Sequence, residues 1–455
     1  MSSFRTEKDL LGEKNIPNDN YFGIHTTRSV ENFPLPVNST KKSLIHALAK
    51  VKKACIMANS ELDFIPENIA VAISQACSEV AEGKLDSQFP TSSLQGGAGT
   101  STNMNVNEVL ANRALEILGR EKGDYETIHP LETVNLHQST NDVYPTALKV
   151  AAIEQLRLLS ENCAVLQQSL QNKEQEFAPI VKVGMTELQE AVPLTLGVEF
   201  GAFADTIARD RWRSFKSEER LRLVNLGGTA IGTGLTAPKK YIFLVIEKLR
   251  NVTGLNLSRG ENCVDQTANN DIFIEVSGCL KALAANLMKI ARDLRLLHMK
   301  KEINLPPRQA GSSIMPGKVN PVICETVIQT AIRIKANDMQ ITEAVSLGSL
   351  QINEFMPLIA ESLLESLELL NSITIIFAKQ IDGITANEEV CRKTLENSET
   401  LITALLPFIG YEKATTLLEE FHKLEGVSLF EFLEQKLGPD VRKFFTASNL
   451  TSLGY

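Results

Sequence analysis

The chain has 455 residues, a net charge of −9 and an isoelectric point near 5.4. Because no basic stripe interrupts this acidic composition, a nucleic acid is not expected as a partner, and a site for an anionic ligand must concentrate its positive charge locally. The N-terminus lacks the apolar segment of a signal peptide, and no uncharged run is long enough to cross a membrane. Seven scattered cysteines without C-x-x-C spacing indicate buried thiols in a reducing compartment. We therefore expect a cytoplasmic protein without a membrane segment.

The pattern along the chain predicts three parts and a mainly α fold with little β-structure. Residues 1–138 mix short helices with loops rich in glycine and proline, and they are predicted to form an N-terminal domain. Residues 139–388 contain the long helices of a central helical domain. Residues 389–455 are predicted to form a small helical domain, in which Pro407 and Gly410 separate short amphipathic segments.

The long helices are predicted from apolar residues that recur every three or four positions. In the segment 276–297 these residues cover nearly the whole circumference, which indicates a helix buried in a bundle or a subunit interface. The other long patterns lie at about 147–176, 321–343 and 353–380.

A glycine-rich run over residues 311–321 contains the most informative group of polar residues. Its Asn-Pro pair predicts a helix start, with Asn320 as the N-cap and Pro321 at the first helical position. The positive end of that helix dipole favours carboxylates and developing negative charge. The side chains that the loop would bring there are Ser312, Ser313 and Lys318.

Two more blocks, Gly97–Glu108 and Gln138–Asp142, precede this loop. In this order and at these separations, the three blocks resemble the aspartase/fumarase superfamily, lyases that remove a group β to a carboxylate. Within it, Gly96–Ser101 and Asn225–Gly234 look most like the aspartate ammonia-lyase branch. The resemblance implies a central five-helix bundle, a homotetramer and a small carboxylate substrate.

The resemblance also implies roles for the residues that match the family's motifs. Ser312 would be the general base; a serine needs neighbouring donors and positive charge to favour its alkoxide. Lys318 and Asn320 would hold the α-carboxylate. The residues matched to the other carboxylate and the leaving amine are Thr100, Ser139, Thr140 and Asn141.

Alternative roles remain open for several of these residues. Ser139, Thr140 and Asn141 could cap the helix that follows them, at the same time as they bind an anion. Arg28 matches a family arginine, but it could equally form a surface salt bridge. His137 is interpreted as a supporting or surface residue rather than a base.

The segment Met185-Thr186-Glu187 departs from the family pattern, which often has Arg-Thr-His or Arg-Thr-Gln. Thr186 is retained as a binding residue, whereas Glu187 adds a carboxylate. In relatives with histidine, its partner is a glutamate that corresponds to Glu325, so Glu187 and Glu325 are predicted to face each other. We hypothesise that Glu187 contacts a cationic amine and protonates it or accompanies it out of the site; the alternative is an exposed glutamate on a helix.

These residues lead to one main functional hypothesis and three alternatives. The main one is an ammonia-lyase that eliminates an amine β to a carboxylate, most simply converting L-aspartate to fumarate and ammonia. A lyase that releases the substituted amine of an ergothioneine-type betaine is the first alternative, motivated by Glu187 and an altered segment at 296–305. A class II fumarase ranks lower, because Thr140 replaces a second serine and Glu187 replaces a histidine. A catalytically silent scaffold is the non-enzymatic alternative.

No cofactor or metal is expected. The six histidines show no metal-ligand spacing, and the glycine-rich runs lack the complete phosphate-binding and dinucleotide-binding motifs.

Overall fold

A computed structural model describes residues 3–451, and it confirms a mainly α fold. Within this range, strands occur only as four two-stranded pairs, of which β1–β2, β3–β4 and β7–β8 are antiparallel and β5–β6 is parallel. These pairs are β1 (Phe4–Asp9) with β2 (Gly12–Pro17), β3 (Val181–Thr186) with β4 (Gln189–Thr195), β5 (Leu223–Val224) with β6 (Ser258–Arg259), and β7 (Ile303–Asn304) with β8 (Thr385–Ala386).

The N-terminal third of the chain contains helices of moderate length joined by loops. They are α1 (Ile24–Asn32), α2 (Lys42–Glu61), α3 (Glu67–Ala81) and α4 (Thr100–Ile117). Helix α4 is polar in sequence yet almost wholly buried, and its Glu108 accepts hydrogen bonds from the backbone N–H groups of Gly23, His25 and Thr26. This buried carboxylate fixes the start of α1 against α4.

Five helices of 25 to 37 residues form the middle of the described chain. They are α5 (Thr140–Glu176), α6 (Leu196–Leu221), α9 (Asp271–Met299), α10 (Val322–Ser346) and α11 (Met356–Asp382). The predicted helix at 276–297 lies inside α9, where Leu280, Leu283, Leu287 and Leu294 are each at most 1% exposed. The long helical periodicity of the sequence is therefore confirmed. Two short helices, α7 (Lys239–Thr253) and α8 (Cys263–Ala268), lie between α6 and α9.

The C-terminal segment is helical, as predicted. Its helices are α12 (Glu388–Asn397), α13 (Leu406–Ile409), α14 (Tyr411–Phe421), α15 (Leu429–Leu437) and α16 (Ala447–Thr451). Gly410 has a φ of 77° and separates α13 from α14, in agreement with its predicted role. Leu401, Leu405, Leu429 and Phe432 pack in an apolar cluster that also includes Val183 of β3.

The described chain divides into two compact units. Of the described residues, the first comprises 3–159, 213–281 and 333–370, and the second comprises 160–212, 282–332 and 371–451. The division into domains at residues 138 and 388 stays a prediction.

Two expectations about composition can be compared with the structure. All seven cysteines are free thiols, and six of them are buried. Across residues 3–451, no helix combines the length and the apolar character needed to span a membrane.

Candidate active site

Ser312 lies in the glycine-rich loop before α10, with its hydroxyl group turned back into the loop. Its Oγ accepts hydrogen bonds from the backbone N–H groups of Ile314 at 3.2 Å and Met315 at 2.9 Å. Both donors would bind an alkoxide more strongly than a neutral hydroxyl, because hydrogen bonds to a charged acceptor are roughly twice as strong. These two N–H groups are in place to stabilise an alkoxide at this position.

The ends of this loop are joined by hydrogen bonds. The Gly311 N–H donates to the Lys318 carbonyl at 2.7 Å, and Asn320 Nδ2 donates to the Gly311 carbonyl at 2.8 Å. A side chain at position 311 would stand 2.7 Å from the Lys318 oxygen, so this close approach requires glycine. Ser313 and Lys318 are exposed on the loop.

The predicted helix start in this loop is displaced by one residue. Helix α10 begins at Val322, and the Pro321 carbonyl accepts the first helical bond, from the Glu325 N–H. The side chain of Asn320 is used to close the loop and was therefore wrongly predicted as the N-cap. The positive end of the helix still follows directly on the loop.

Glu187 lies at the tip of the β3–β4 hairpin, so the alternative of a helical glutamate is wrong. Thr186 pairs with Gln189, which leaves Glu187 and Leu188 as a two-residue turn with φ values of 51° and 62°. Positive φ at both positions is the signature of a type I′ turn, which normally takes asparagine or glycine. Both side chains are exposed, as is Thr186.

Glu325 is half-buried in the first turn of α10. Its predicted pairing with Glu187 stays a prediction.

A capping box marks the start of α5. The Ser139 hydroxyl accepts from the Asn141 N–H at 3.2 Å, and Asp142 Oδ1 accepts from the Ser139 N–H at 2.9 Å. The capping role considered for Ser139 is therefore confirmed. The same helix start presents Thr140, whose hydroxyl accepts from Asn103 Nδ2 at 3.1 Å.

The loop over residues 225–234 wraps this helix start. Asn141 Nδ2 donates to the Ala230 carbonyl at 2.7 Å, and Asp142 Oδ2 accepts from the N–H groups of Gly227 and Thr229. Pro145 of α5 has no N–H for the Asn141 carbonyl, which instead accepts from Asn225 Nδ2 at 2.9 Å. These contacts fix the backbone and the side chain of Asn141.

Two further predicted residues, Thr100 and Arg28, lie in the first unit. Thr100 is exposed at the first position of α4, after Gly99 with a φ of 93°. Arg28 forms a bidentate ion pair with Asp9, at 2.7 and 2.8 Å. The alternative of a salt bridge is therefore confirmed for Arg28.

His137 also lies in the first unit, where its Nδ1 is 2.7 Å from Asn59 Oδ1. Its ring contacts Phe64 and Tyr241, and burial lowers its pKa. The interpretation of His137 as a supporting or surface residue rather than a base stays a prediction.

The predicted residues thus form two sets, one in each compact unit. The first set, in the unit that contains α4 and the start of α5, is Arg28, Thr100, His137, Ser139, Thr140 and Asn141. The second set, in the unit that contains the glycine-rich loop, is Thr186, Glu187, Ser312, Ser313, Lys318, Asn320 and Glu325. Within residues 3–451, no three His, Cys, Asp or Glu side chains are grouped as metal ligands.

Sequence reasoning missed several polar residues that support the first set. Asp142 could have been found, because Ser139-x-x-Asp142 has the spacing of a capping box. Asn103 and Lys52 gave no such local signal. They contact Thr140 and the loop before it only through tertiary structure.

Comparisons with known proteins identify the class of enzyme to which this fold and these motifs belong. A family model described as "Lyase" matches residues 12–336. The chain is 44% identical over 433 residues to an aspartate ammonia-lyase of a Bacillus species, covering 94% of this chain and 92% of the relative. It therefore belongs to this lyase family, the aspartase/fumarase superfamily.

Solved structures of the superfamily have the same fold. A fumarate lyase:delta crystallin from Brucella melitensis, solved bound to cobalt, superposes with a TM-score of 0.94 at 44% identity, covering 98% of this chain and 99% of that one. A class II fumarase from Schistosoma mansoni gives a TM-score of 0.93 at 31% identity, covering 99% of both chains.

Proposed function

We propose that this protein is an ammonia-lyase that converts L-aspartate to fumarate and ammonia. The observation that carries the proposal is the geometry of Ser312, whose oxygen accepts two backbone N–H groups in the family's glycine-rich loop. The high identity to an aspartate ammonia-lyase supports the choice of substrate over malate, since the fumarase is less similar.

In the first step, the Ser312 alkoxide removes a proton from the β-carbon of aspartate. The electron pair of the broken C–H bond moves into the neighbouring β-carboxylate, which becomes a doubly charged aci-carboxylate. Ionised Ser312 is stabilised by the Ile314 and Met315 N–H groups and by the positive end of α10. Lys318 and Asn320 hold the α-carboxylate in this proposal.

In the second step, the electron pair forms the carbon–carbon double bond and the C–N bond breaks. Donors aimed at the charged carboxylate lower the barrier most, because that charge exists only in the transition state and the intermediate. We assign this work to Thr100, Ser139, Thr140 and Asn141. Hydroxyl and amide groups suit it, since they donate hydrogen bonds without bringing a negative charge.

Glu187 is assigned to the leaving amine in this proposal. A glutamate and a leucine with positive φ are unfavourable in a hairpin turn, and such strain tends to persist at functional sites. A negative side chain on an exposed turn favours an ammonium leaving group by charge. Ser313, next to Ser312, and Thr186, next to Glu187, are assigned as substrate-binding groups. Glu325 of α10 is assigned a supporting role for the glycine-rich loop.

We expect Glu187→Gln to lower kcat about tenfold or more, because a neutral amide cannot accept or transfer the proton of the amine. The measurement is kcat and kcat/KM for L-aspartate across pH. Leu188→Gly is the matched control, since it relieves the adjacent positive φ and retains the carboxylate. An unchanged rate and pH profile in Glu187→Gln would remove this role.

We also propose that the enzyme is a cytoplasmic homotetramer, as in its superfamily. Large apolar side chains are exposed on the long helices, including Trp212 and Phe215 of α6 and Ile332 and Met339 of α10. Such exposure typically marks protein contacts. Light scattering should give about four times the chain mass of 50.1 kDa.

The direct test of the reaction is incubation with L-aspartate, followed by the ultraviolet absorbance of the new double bond. Product formation from aspartate but not from a betaine or malate supports the proposal. A signal with the betaine alone would favour release of a substituted amine, and a signal with malate alone would favour a fumarase. No product from any of them would favour the scaffold.

A further inference from the structure

The hydroxyl of Thr140 is held by a series of side-chain amides that begins at the buried Asn103 and ends at a buried lysine. Asn103 Nδ2 donates to Thr140 Oγ1 at 3.1 Å and to Asn135 Oδ1 at 3.2 Å. Lys52 Nζ donates to the same Asn135 oxygen and to Gln138 Oε1, both at 2.8 Å. Asn107 Nδ2 is a third, longer donor to that Asn135 oxygen, at 3.2 Å. Lys52 is 0% exposed and Asn103 is 2% exposed, whereas Asn135 and Gln138 between them are half-buried.

Lys52 determines which way the donors and acceptors point in this series of hydrogen bonds. An ammonium group has donors and no acceptor, so the side chain of Asn135 must present its oxygen to Lys52. That oxygen repels another carbonyl oxygen, and Asn103 therefore faces it with its NH₂ group. The second hydrogen of this NH₂ group then points at Thr140.

The consequence for Thr140 is that its oxygen acts as an acceptor within the protein. Its hydrogen is then directed away from Asn103 and is available to a ligand. The arrangement leaves the buried Asn103 Oδ1 without a hydrogen-bond partner among the described residues, which carries a cost. The orientation of the amide is maintained in spite of that cost.

The charge state of Lys52 agrees with this direction. Burial lowers its pKa to about 8, so the ammonium form predominates at neutral pH. Its hydrogen bonds to Asn135 and Gln138 go to neutral amide oxygens, which stabilise the charge without neutralising it.

We infer that Asn103, oriented by Lys52 through Asn135, is a positioning residue that makes the Thr140 hydroxyl a hydrogen-bond donor to a substrate carboxylate. This inference rests on the proposed function, in which Thr140 binds the carboxylate that becomes doubly charged. Asn103 itself does not touch the substrate.

The test is a double-mutant cycle between Asn103→Asp and Thr140→Val. Aspartate is nearly isosteric with asparagine but presents acceptors, so the Thr140 hydrogen would turn towards position 103 and be lost to the substrate. We expect each single variant to lower kcat roughly 10- to 100-fold, with a smaller change in KM, because the charge grows in the transition state. The double variant should lose no more than about threefold beyond either single variant.

Asn105→Asp is the matched control. Asn105 is also fully buried on α4, but its Nδ2 donates to the Gln88 carbonyl at 3.0 Å, outside the chain to Thr140. It tests the effect of burying an aspartate in this helix. We expect Asn105→Asp to lower the melting temperature. Its effect on kcat should be independent of Thr140→Val, so the loss in kcat of the double variant should equal the product of the two single losses.

Two outcomes would overturn the inference: full activity in Asn103→Asp, or losses that multiply in the double variant. If Asn103→Asp does not fold, Lys52→Met in the same cycle with Thr140→Val gives the same decision. A wild-type protein without aspartate turnover would instead contradict the proposed function. In that case, the cycle is measured on calorimetric binding of succinate, and independent losses there would overturn the inference.

Discussion

Ser312→Ala should lower kcat for L-aspartate by roughly 10²- to 10⁴-fold, the usual contribution of a positioned general base. The substitution removes the oxygen that accepts the Ile314 and Met315 N–H groups and that would take the proton from the substrate. The loop closure through Gly311 and Asn320 does not involve that oxygen, so the loop should keep its shape. The loss should therefore appear in kcat far more than in KM.

The proton-transfer step can be measured separately from product formation. In deuterated water, the wild-type enzyme should exchange the β-hydrogen of aspartate with solvent if proton removal is reversible, and Ser312→Ala should abolish this exchange. Binding of succinate by calorimetry is the control, and it should change by no more than a few-fold. Undiminished turnover in Ser312→Ala would remove the serine base from the mechanism.

The sequence was most informative where local periodicity determines structure. The helix predicted at 276–297 is confirmed inside α9, where apolar residues at three- and four-residue steps form one buried stripe. The helix that follows the glycine-rich loop was also predicted, with an error of one residue at its start. Asn320 and Pro321 satisfied the preferences for a helix start, but the side chain of Asn320 forms a tertiary bond to Gly311 instead.

The β3–β4 hairpin shows where local pattern was misleading. Glu187 and Leu188 are poor residues for a type I′ turn, so residue preferences do not predict a turn at this position. The turn persists because the flanking strands and the packing of Val183 in the C-terminal apolar cluster hold it.

The supporting residues of Thr140 could not be predicted for a different reason. Lys52 is 83 residues from Asn135 along the chain, and Asn103 is 37 residues from Thr140. Hydrogen bonds between such distant side chains have no sequence period. Only the packed structure shows that Lys52 and Asn103 both donate to Asn135 and that Asn103 also donates to Thr140.

Asp142→Ala should have the second-largest effect, on stability as well as activity. Asp142 is 0% exposed and accepts from the N–H groups of Ser139, Gly227 and Thr229 at 2.9 to 3.1 Å. Removing the carboxylate leaves two buried donors and one half-buried donor unpaired, which should cost about 3–5 kcal/mol. Because the freed 225–234 loop no longer holds Asn141, kcat/KM should fall about a hundredfold or more.

A second buried aspartate provides the control for this variant. Asp210 is 1% exposed and accepts from Asn286 Nδ2 at 2.7 Å, in the other compact unit. Asp210→Ala should lower the melting temperature without the hundredfold loss of kcat/KM. Equal activity losses in the two alanine variants would show that general destabilisation, rather than the 225–234 loop, links Asp142 to the site.

The pH dependence of stability gives an independent measure of the buried carboxylate. Burial raises the pKa of Asp142 to about 6, against the opposing effect of the Ser139, Thr229 and Gly227 N–H groups. The folded protein therefore retains a proton that the unfolded chain releases above about pH 4. As pH rises from about 4 to 6, the contribution of Asp142 to the free energy of unfolding should fall by about 3 kcal/mol, and above that window it should stay constant. Asp142→Asn cannot ionise, so its free energy of unfolding relative to wild type should increase as pH rises through this window. A difference that does not vary with pH would mean that Asp142 ionises at its ordinary pKa.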